Sequence, residues 1–300
     1  MDRFEAMRIF AAVAEGGGFA AASRELGLSP PAVTRAVAAL EERVGTRLLT
    51  RTTRVVRLTE AGTRYLADCK RILGEVEEAE ASAAGAHAEP RGTINITASV
   101  MFGRLYVAPI LFDFLGSHPQ VVARTLFADR IVDMMEEGLD VAVRIARLPD
   151  SGLSAVRVGQ VRRIICASPD YLAARGTPRT LADLEHHDAT VFAPGSSAVD
   201  WSFPGREGRT VSVRPRTQLI TNALEVTIAA ALAGRGLARV LSYQVAPEVA
   251  SGRLKIVLAE FEEPPLPIHI VHAEGRRASA RVRAFVDFAA ARLRANPALQ

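Results

Sequence analysis

Lysine and cysteine are nearly missing from this chain, and each shortage removes a class of reading. The only lysines are Lys70 and Lys255, and neither follows a glycine-rich loop, so no phosphate-cradling P-loop is present. Cys69 and Cys166 are solitary and far apart, which argues against a disulfide framework and for a reducing compartment. No apolar run approaches the ~20 residues needed to cross a bilayer; the best stretches, Ala11 to Ala14 and Val226 to Ala233, read as helix cores. The opening Met1-Asp2-Arg3-Phe4-Glu5 mixes acid and base and is no signal peptide, so a cytoplasmic protein is expected. No G-x-S-x-G nucleophile elbow occurs. Gly16 to Ala21 spells G-x-G-x-x-A, but it follows the helix-period residues Phe4, Met7, Phe10 and Ala14 where a dinucleotide loop requires a strand. His186-His187-Asp188 has no second ligand cluster at metal spacing and reads as a loop. No catalytic residue, metal or cofactor is expected.

What is present is ordinary in bulk. The 300 residues suit about two domains, with 49% hydrophobic and 23% charged content and a net charge of +4. The cations are almost all arginine, which suits forked phosphate and base contacts, or reflects a compositional bias toward Arg and Ala.

The basicity is local. Ala20, Ala21 and Ala22 lead to Leu26, Gly27-Leu28 makes a tight turn, and Ser29 caps a second helix with Pro30 at its first position. Val33, Val37 and Leu40 form the buried face of that helix, which leaves Ser29, Pro30, Pro31, Thr34, Arg35 and Ala38 outside. Small side chains there let the helix sink into a major groove, while Ser, Thr and Arg reach phosphates and base edges. A plain helical hairpin would share this pattern. The charge of the next twenty residues separates the two. From Arg43 to Arg64 six arginines (43, 47, 51, 54, 57 and 64) face one acid, Glu60, a balance of +5. Leu48-Leu49 and Val55 to Leu58 read as short strands with a tip at Thr50-Arg51-Thr52-Thr53-Arg54, a basic hairpin able to grip phosphate or enter the minor groove.

Residues 1 to about 71 resemble the winged helix-turn-helix of LysR-type transcriptional regulators. The residues that carry the resemblance are Phe10, Val13, Gly18-Phe19, Ala21-Ala22, Leu26, Ser29, Pro31-Ala32-Val33, Thr34, Leu40-Glu41, Gly45, Leu48-Leu49, Arg51 and Leu58-Thr59-Glu60-Ala61-Gly62. Pro30 departs from the many members that carry a DNA-reaching Gln there. Ser-Pro-Pro together with Leu-Leu-Thr-Arg-Thr-Thr-Arg is similar to a large subgroup that shares the change. DNA contact is therefore expected from Ser29, Pro30, Pro31, Thr34, Arg35, Arg51, Thr52, Thr53 and Arg54.

After Thr59, an N-cap with Glu60 near the helix's positive end, Tyr65, Cys69, Ile72, Val76, Ala79 and Ala83 recur in steps of 4, 3, 4, 3 and 4. Two readings stay open: a dimerisation seam, or one face packed within its own domain. Glu75, Glu77, Glu78 and Glu80 on the other faces favour a helix standing in solvent. The resemblance makes it the family's dimerising linker helix, through Tyr65, Cys69, Ile72 and Val76. Residues 85 to 92 then form a hinge.

Beyond residue 92 strands and helices alternate, implying mainly parallel sheets. The spacing predicts strands at Thr93 to Ser99, Val121 to Phe127 and Asp140 to Ile145, with helices at Arg104 to Leu115 and Ile131 to Glu137. The resemblance implies an effector-binding region of two lobes like those of periplasmic solute-binding proteins. The expected divisions are a winged helix-turn-helix at 1–58, a linker at 59–91 and an effector domain at 92–300. Within the last, lobe I comprises 92–160 and 266–300, and lobe II 161–265. The fold class is thus multi-domain: an α-rich winged helix-turn-helix, a long linker helix, then a two-lobed α/β domain.

Ligands of such α/β folds sit beyond the carboxyl ends of strands. That selects Ser99, Val100, Met101 and Phe102, then Phe127 and Asp129, then Arg144, and Thr221 and Asn222. Trp201 and Phe203 lie in the Pro/Gly/Ser-rich stretch 193–209, read either as a lid or as simple packing. Arg144 is read either as an anion anchor or as a salt-bridge partner. The expected effector is a small carboxylate or carbonyl compound. The resemblance further implies a homodimer or a homotetramer built as a dimer of dimers, and contact with RNA polymerase. Two alternatives remain: an α/β solute-binding or enzyme-like protein with a helical head, and a ligand-independent architectural DNA binder.

Overall fold

Apolar residues at i, i+3 and i+4 build the first helices, and three of them close a small core. The computed structural model describes residues 2–51, 56–83, 89–148, 152–195, 199–205, 209–272 and 278–300. The chain separates into two compact units, Met1–Gly92 and Thr93–Gln300. In the first, α1 (Arg3–Glu15), α2 (Phe19–Leu26) and α3 (Pro30–Val44) bury Phe10, Val13, Ala22, Val33, Val37 and Leu40 against one another. Gly27 ends α2 in the left-handed conformation (φ 65°), which costs a glycine nothing. The turn is locked by Ser23, whose carbonyl accepts from Leu28 N–H at 3.1 Å and whose hydroxyl donates to the Leu28 carbonyl.

A short antiparallel pair follows, β1 (Leu49–Arg51) and β2 (Val56–Leu58), in register Leu49 with Leu58 and Arg51 with Val56. The long α4 (Glu60–Ala83) begins under it. The Thr59 hydroxyl accepts from Gly62 N–H at 2.9 Å, capping α4, and donates to the Arg47 carbonyl at 2.8 Å. Gly62 is required by space. A Cβ there would lie 1.9 Å from the Leu48 carbonyl oxygen.

The second unit holds two five-stranded sheets. The first has the order β4-β3-β5-β14-β6, built from β3 (Gly92–Ala98), β4 (Val121–Phe127), β5 (Val141–Ile145), β6 (Ser154–Val161) and β14 (Leu266–His272). The second has the order β11-β8-β12-β7-β13. Its members are β7 (Arg163–Ala167), β8 (Asp188–Phe192), β11 (Arg216–Thr221), β12 (Leu237–Leu241) and β13 (Lys255–Val257). Both sheets are mixed, which corrects the expectation of mainly parallel ones. β3 and β5 run parallel, but β14 returns antiparallel to both β5 and β6. Likewise β8 is parallel to β11 and β12, while β7 is antiparallel to β12 and β13. The chain leaves lobe I once and re-enters it once, and the strands at these crossings are the ones that run against their neighbours.

Helices cover the sheets. In lobe I, α5 (Val100–Phe102) runs through a π-turn at Gly103–Val107 into α6 (Ala108–Ser117), and α10 (Ala280–Arg294) packs beside them. The π-turn starts where Gly103 meets the Phe127 ring, which a Cβ would approach to 2.5 Å. In lobe II, α7 (Pro169–Arg175), α8 (Leu224–Leu232) and α9 (Ala246–Ala250) flank the sheet, and the hairpin β9 (Trp201–Pro204) with β10 (Thr210–Val213) lies over one face.

Two expectations fail for visible reasons. The expected helix at Ile131 to Glu137 is absent: 131–133 are irregular and 134–138 form a turn. The Asp133 carboxylate accepts from Met135 N–H (2.8 Å) and Glu136 N–H (3.1 Å), satisfying amides that a helix would use. The buried residues there, Val132 and Met134, are two apart, which no helical face allows. The lid reading of Trp201 and Phe203 also fails. Both side chains are buried on β9, packed with Tyr171, Leu172, Leu184 and Leu237.

Candidate nucleic-acid interface and effector cleft

The outer face of α3 presents Ser29, Pro30, Pro31 and Arg35 exposed and Thr34 half-buried. Ser29 stands at the N-cap position, yet its hydroxyl makes no capping bond; its carbonyl accepts from Ala32 and Val33 N–H. The hydroxyl is therefore free to meet an outside group. The Thr34 hydroxyl donates to the Pro30 carbonyl at 3.0 Å, which leaves its acceptor capacity unused by that bond. Arg35, Arg43, Arg47 and Arg57 are exposed and form no ion pair among the described residues, whereas Arg64 pairs with Glu60 at 3.1 Å. Arg51 pairs with Val56 through the β1–β2 backbone. Thr52, Thr53 and Arg54 lie outside the described residues.

One residue that ties this surface together carries no functional signal in the sequence. Glu41, near the end of α3, accepts from the Leu48 N–H at 2.8 Å and the Leu49 N–H at 2.9 Å with a single carboxylate oxygen. It fastens the base of the hairpin to the helix. Only the family resemblance marks Glu41, and without a role.

The expected dimerisation seam divides. Tyr65 packs on Phe10 (centroids 5.7 Å apart), Cys69 is fully buried, and Ile72 lies against the same core. For these three, packing within their own unit is the correct reading. Val76, one turn further, is half-buried and stands outside that core.

In the effector unit the strand-end residues converge only in part. Ser99 and Val100 follow β3, and Val100 N–H donates to the Asp129 carboxylate at 3.1 Å. Met101 and Phe102 point inward and are buried. The Phe102 and Tyr106 rings meet Tyr243 of lobe II, with centroids 5.3 and 5.7 Å away. Gln244 Nε2 donates to the Tyr243 hydroxyl at 3.3 Å. Burial pushes the Tyr243 phenol up, opposed by the neighbouring Ser99 hydroxyl; Ser99 Oγ is itself buried and falls short of a complete hydrogen bond. The Asp129 carboxyl is also pushed up, chiefly by burial and further by Glu225 of α8, against the opposing Val100 N–H. Thr221 accepts from Ala223 N–H at 3.1 Å, and Asn222 beside it is exposed. Phe127 lies over Gly103.

Arg144 does not join this group. Its guanidinium donates to the Val132 carbonyl at 2.6 Å. It shares a strand face with Ala142, which packs with Val132, Met134, Leu139 and Val271. Tyr243 and Tyr106 escape the sequence reading, although the strand-end rule applied to β12 selects Ser242-Tyr243-Gln244. His187 receives a structural role: its ring lies 3.0 Å from the Tyr171 hydroxyl, which accepts from Asp188 N–H at 2.9 Å.

This pairing of a helix-turn-helix unit with a two-lobed α/β unit recurs in known proteins. Residues 4–63 match the model of the bacterial regulatory helix-turn-helix protein, lysR family, and residues 87–294 match the LysR substrate binding domain. The chain belongs to the family of LysR-type transcriptional regulators. It is 32% identical over 282 residues to an uncharacterized HTH-type transcriptional regulator of Haemophilus influenzae, covering 94% of this chain and 98% of that one. It is 34% identical over 283 residues to the HTH-type transcriptional regulator DmlR of Escherichia coli, covering 94% and 92%. The solved structure of CrgA, a LysR-type transcriptional regulator from Neisseria meningitidis, is similar with a TM-score of 0.61 and 30% identity, covering 97% of this chain and 99% of that one. The protein is thus a transcriptional regulator, with an N-terminal helix-turn-helix and a two-lobed α/β effector domain.

The thiols offer a direct check on this packing. Burial pushes Cys69 up to about 11 and Cys166 up to about 12, so both stay protonated at neutral pH and unreactive. Iodoacetamide at pH 8 should label neither in the native chain and both after denaturation, read by intact mass. Native labelling of Cys166 would show that the lobe II sheet opens.

Proposed function

We propose that the chain binds specific operator DNA through α3 and the β1–β2 hairpin, and that a small molecule bound between the lobes changes this binding. The observation that carries the DNA reading is the outer face of α3, where the Ser29 hydroxyl makes no capping bond and Arg35, with Arg47 and Arg57 of the hairpin, forms no ion pair among the described residues. Pro30 and Pro31 shape a smooth helix start that can enter a major groove, Thr34 and Arg35 read base edges, and Arg51, Thr52, Thr53 and Arg54 meet phosphate. The site of action is the cytoplasm, where both thiols stay reduced.

Two copies act together. Val76 and the outer part of α4 provide one contact. The edge strands β4 and β11 offer another, because each sheet edge exposes apolar residues: Val122 beside Phe112 of α6, and Ile220 beside Val226 of α8. Such edges invite pairing with a second chain. A dimer places two α3 helices on half-sites about one helical turn apart, ~34–36 Å. A dimer of dimers and contact with RNA polymerase follow by analogy with the family.

The effector site lies at Ser99, Val100, Phe127, Asp129, Thr221 and Asn222, with Tyr106 and Tyr243 added. Its charge selects between the two chemistries expected of the ligand. Glu225 acts on Asp129, Asp129 acts on Tyr243 beside the Tyr106 phenol, and Arg144 is committed elsewhere. An uncharged carbonyl or hydroxyl compound fits; a carboxylate would meet like charge. Each ligand shifts the protein only by its differential affinity for two lobe arrangements.

Two experiments test these readings. Arg35→Ala should weaken operator binding by roughly 1–3 kcal/mol more than random DNA binding. Arg54→Ala should weaken both alike and reduce the salt slope by about one unit. Equal loss on both DNAs for Arg35→Ala would remove it from the specificity residues. For the effector, a thermal-shift screen of aldehydes and amides against the matching carboxylates should find stabilisation by uncharged compounds. Tyr243→Phe should lose that response and Arg144→Met keep it. Stabilisation by carboxylates alone, abolished in Arg144→Met, would return the anion reading.

A further inference from the structure

The polypeptide crosses between the lobes twice, and the two crossings are tied to each other by charge. One crossing is Arg162, the single residue between β6 and β7, with Arg163 opening β7. The other is the return from β13 to β14, which carries Glu262 and Glu263 ahead of Pro264 and Pro265. Consecutive arginines face consecutive glutamates. Arg162 Nη1 donates to both carboxylate oxygens of Glu262 at 3.2 Å, and Arg163 Nη1 lies 3.3 Å from Glu263. Successive side chains of an extended strand point to opposite sides, so the two pairs flank the crossings on both faces.

Glu263 is shared. Its second oxygen accepts from Arg239 of β12 at 2.5 Å, and Arg239 is mostly buried. The Arg239 guanidinium lies 4.5 Å from the centre of the Phe203 ring and donates to the Ser202 carbonyl at 2.6 Å. The β9–β10 hairpin thus buttresses the crossing, which gives the buried Trp201–Phe203 segment a second task. Arg162 is held through its backbone as well: its N–H donates to Ser242 Oγ at 3.1 Å and its carbonyl accepts from Ser242 N–H at 2.8 Å. Ser242 immediately precedes Tyr243, the residue that meets the lobe I rings.

We infer that the Arg162–Glu262 and Arg163–Glu263–Arg239 pairs form an electrostatic clamp across both inter-lobe crossings, with Glu263 and Arg239 as positioning residues that set the angle between the lobes. An exposed ion pair alone contributes little, because water and salt screen it. Two pairs on opposite faces of two short segments act differently. A movement of one crossing segment relative to the other stretches at least one of them, and the partly buried Arg239–Glu263 pair resists most. Pro264 and Pro265 remove backbone freedom from the return crossing and so direct strain onto the clamp. This inference stands on the two-lobed fold and is independent of the effector's identity.

The test uses the full-length chain with spin labels at Arg104→Cys in lobe I and Arg235→Cys in lobe II, both exposed, diluted into unlabelled protein so that distances within one chain are read. Wild type should give one narrow distance distribution, broadened by 1 M salt. Glu263→Gln should widen it about two-fold, since several lobe arrangements then become populated. Arg162→Glu and Glu262→Arg should each widen it, and the double swap should restore it. Should Glu263→Gln fail to fold, the exposed-side pair carries the test alone. A distribution that superimposes on wild type in Glu263→Gln and both single swaps overturns the clamp. So does a lowered melting temperature with an unchanged distribution, which would make these residues local supports of lobe II.

Discussion

The proposed reading surface of the first unit depends on where Leu48 is held. Its side chain is fully buried, its N–H is bonded by Glu41, and its carbonyl accepts from Thr59 N–H at 2.9 Å. Gly62 lets α4 approach that carbonyl closer than any side chain would allow. One residue thereby joins the end of α3, the base of the hairpin and the start of α4. Binding through two elements is specific only if their spacing is fixed before DNA arrives, because loose elements must be ordered at the cost of affinity. The Glu41 carboxylate supplies a charge-assisted bond at that junction, about twice as strong as a neutral one.

The second unit is governed by how its two sheets are joined. Each lobe has its own sheet, yet Tyr243 reaches from lobe II to the rings of Phe102 and Tyr106 in lobe I. The same turn carries Ser242, which is bonded to the backbone of the first crossing. The ring contacts to lobe I and the hydrogen bonds to the first crossing therefore meet in adjacent residues, Tyr243 and Ser242. Under the proposed effector site, a ligand that displaced Tyr243 would act on the segment that holds Arg162. That proposal would give a physical route from binding to lobe angle without a long chain of intermediaries.

Much of the fold is legible in local sequence, and the failures have causes. Helices α1 to α4 and strands β3, β4 and β5 follow local periodicity, which the folded state does not overrule. The segment 131–137 is misread because Asp133 satisfies nearby amides with its own side chain, and pattern reading counts only apolar spacing. Tyr65 and Cys69 suit a coiled-coil seam and a domain core equally, since both need the same repeat; only the presence of α1 decides. Arg144 is selected by strand position alone, and its partner is a backbone carbonyl, which leaves no trace in composition. Glu41, Tyr243 and Glu263 act through residues distant in sequence or through backbone groups. The family resemblance supplies the order of the domains, and the residue-level chemistry of the cleft requires the fold.

If α3 and its hairpin form a charge-rich surface set in place before DNA arrives, two copies should read sequence as a paired unit. Footprinting of the native chain decides this, at about 0.15 M salt on the DNA upstream of its own gene, with random DNA as competitor. A paired, pre-set surface gives two protected half-sites separated by about 10–10.5 base pairs or a multiple of it. Its protection also survives a roughly thousand-fold excess of random DNA. Uniform protection without half-sites, removed by an equal amount of random DNA, would show that the surface binds charge and not sequence.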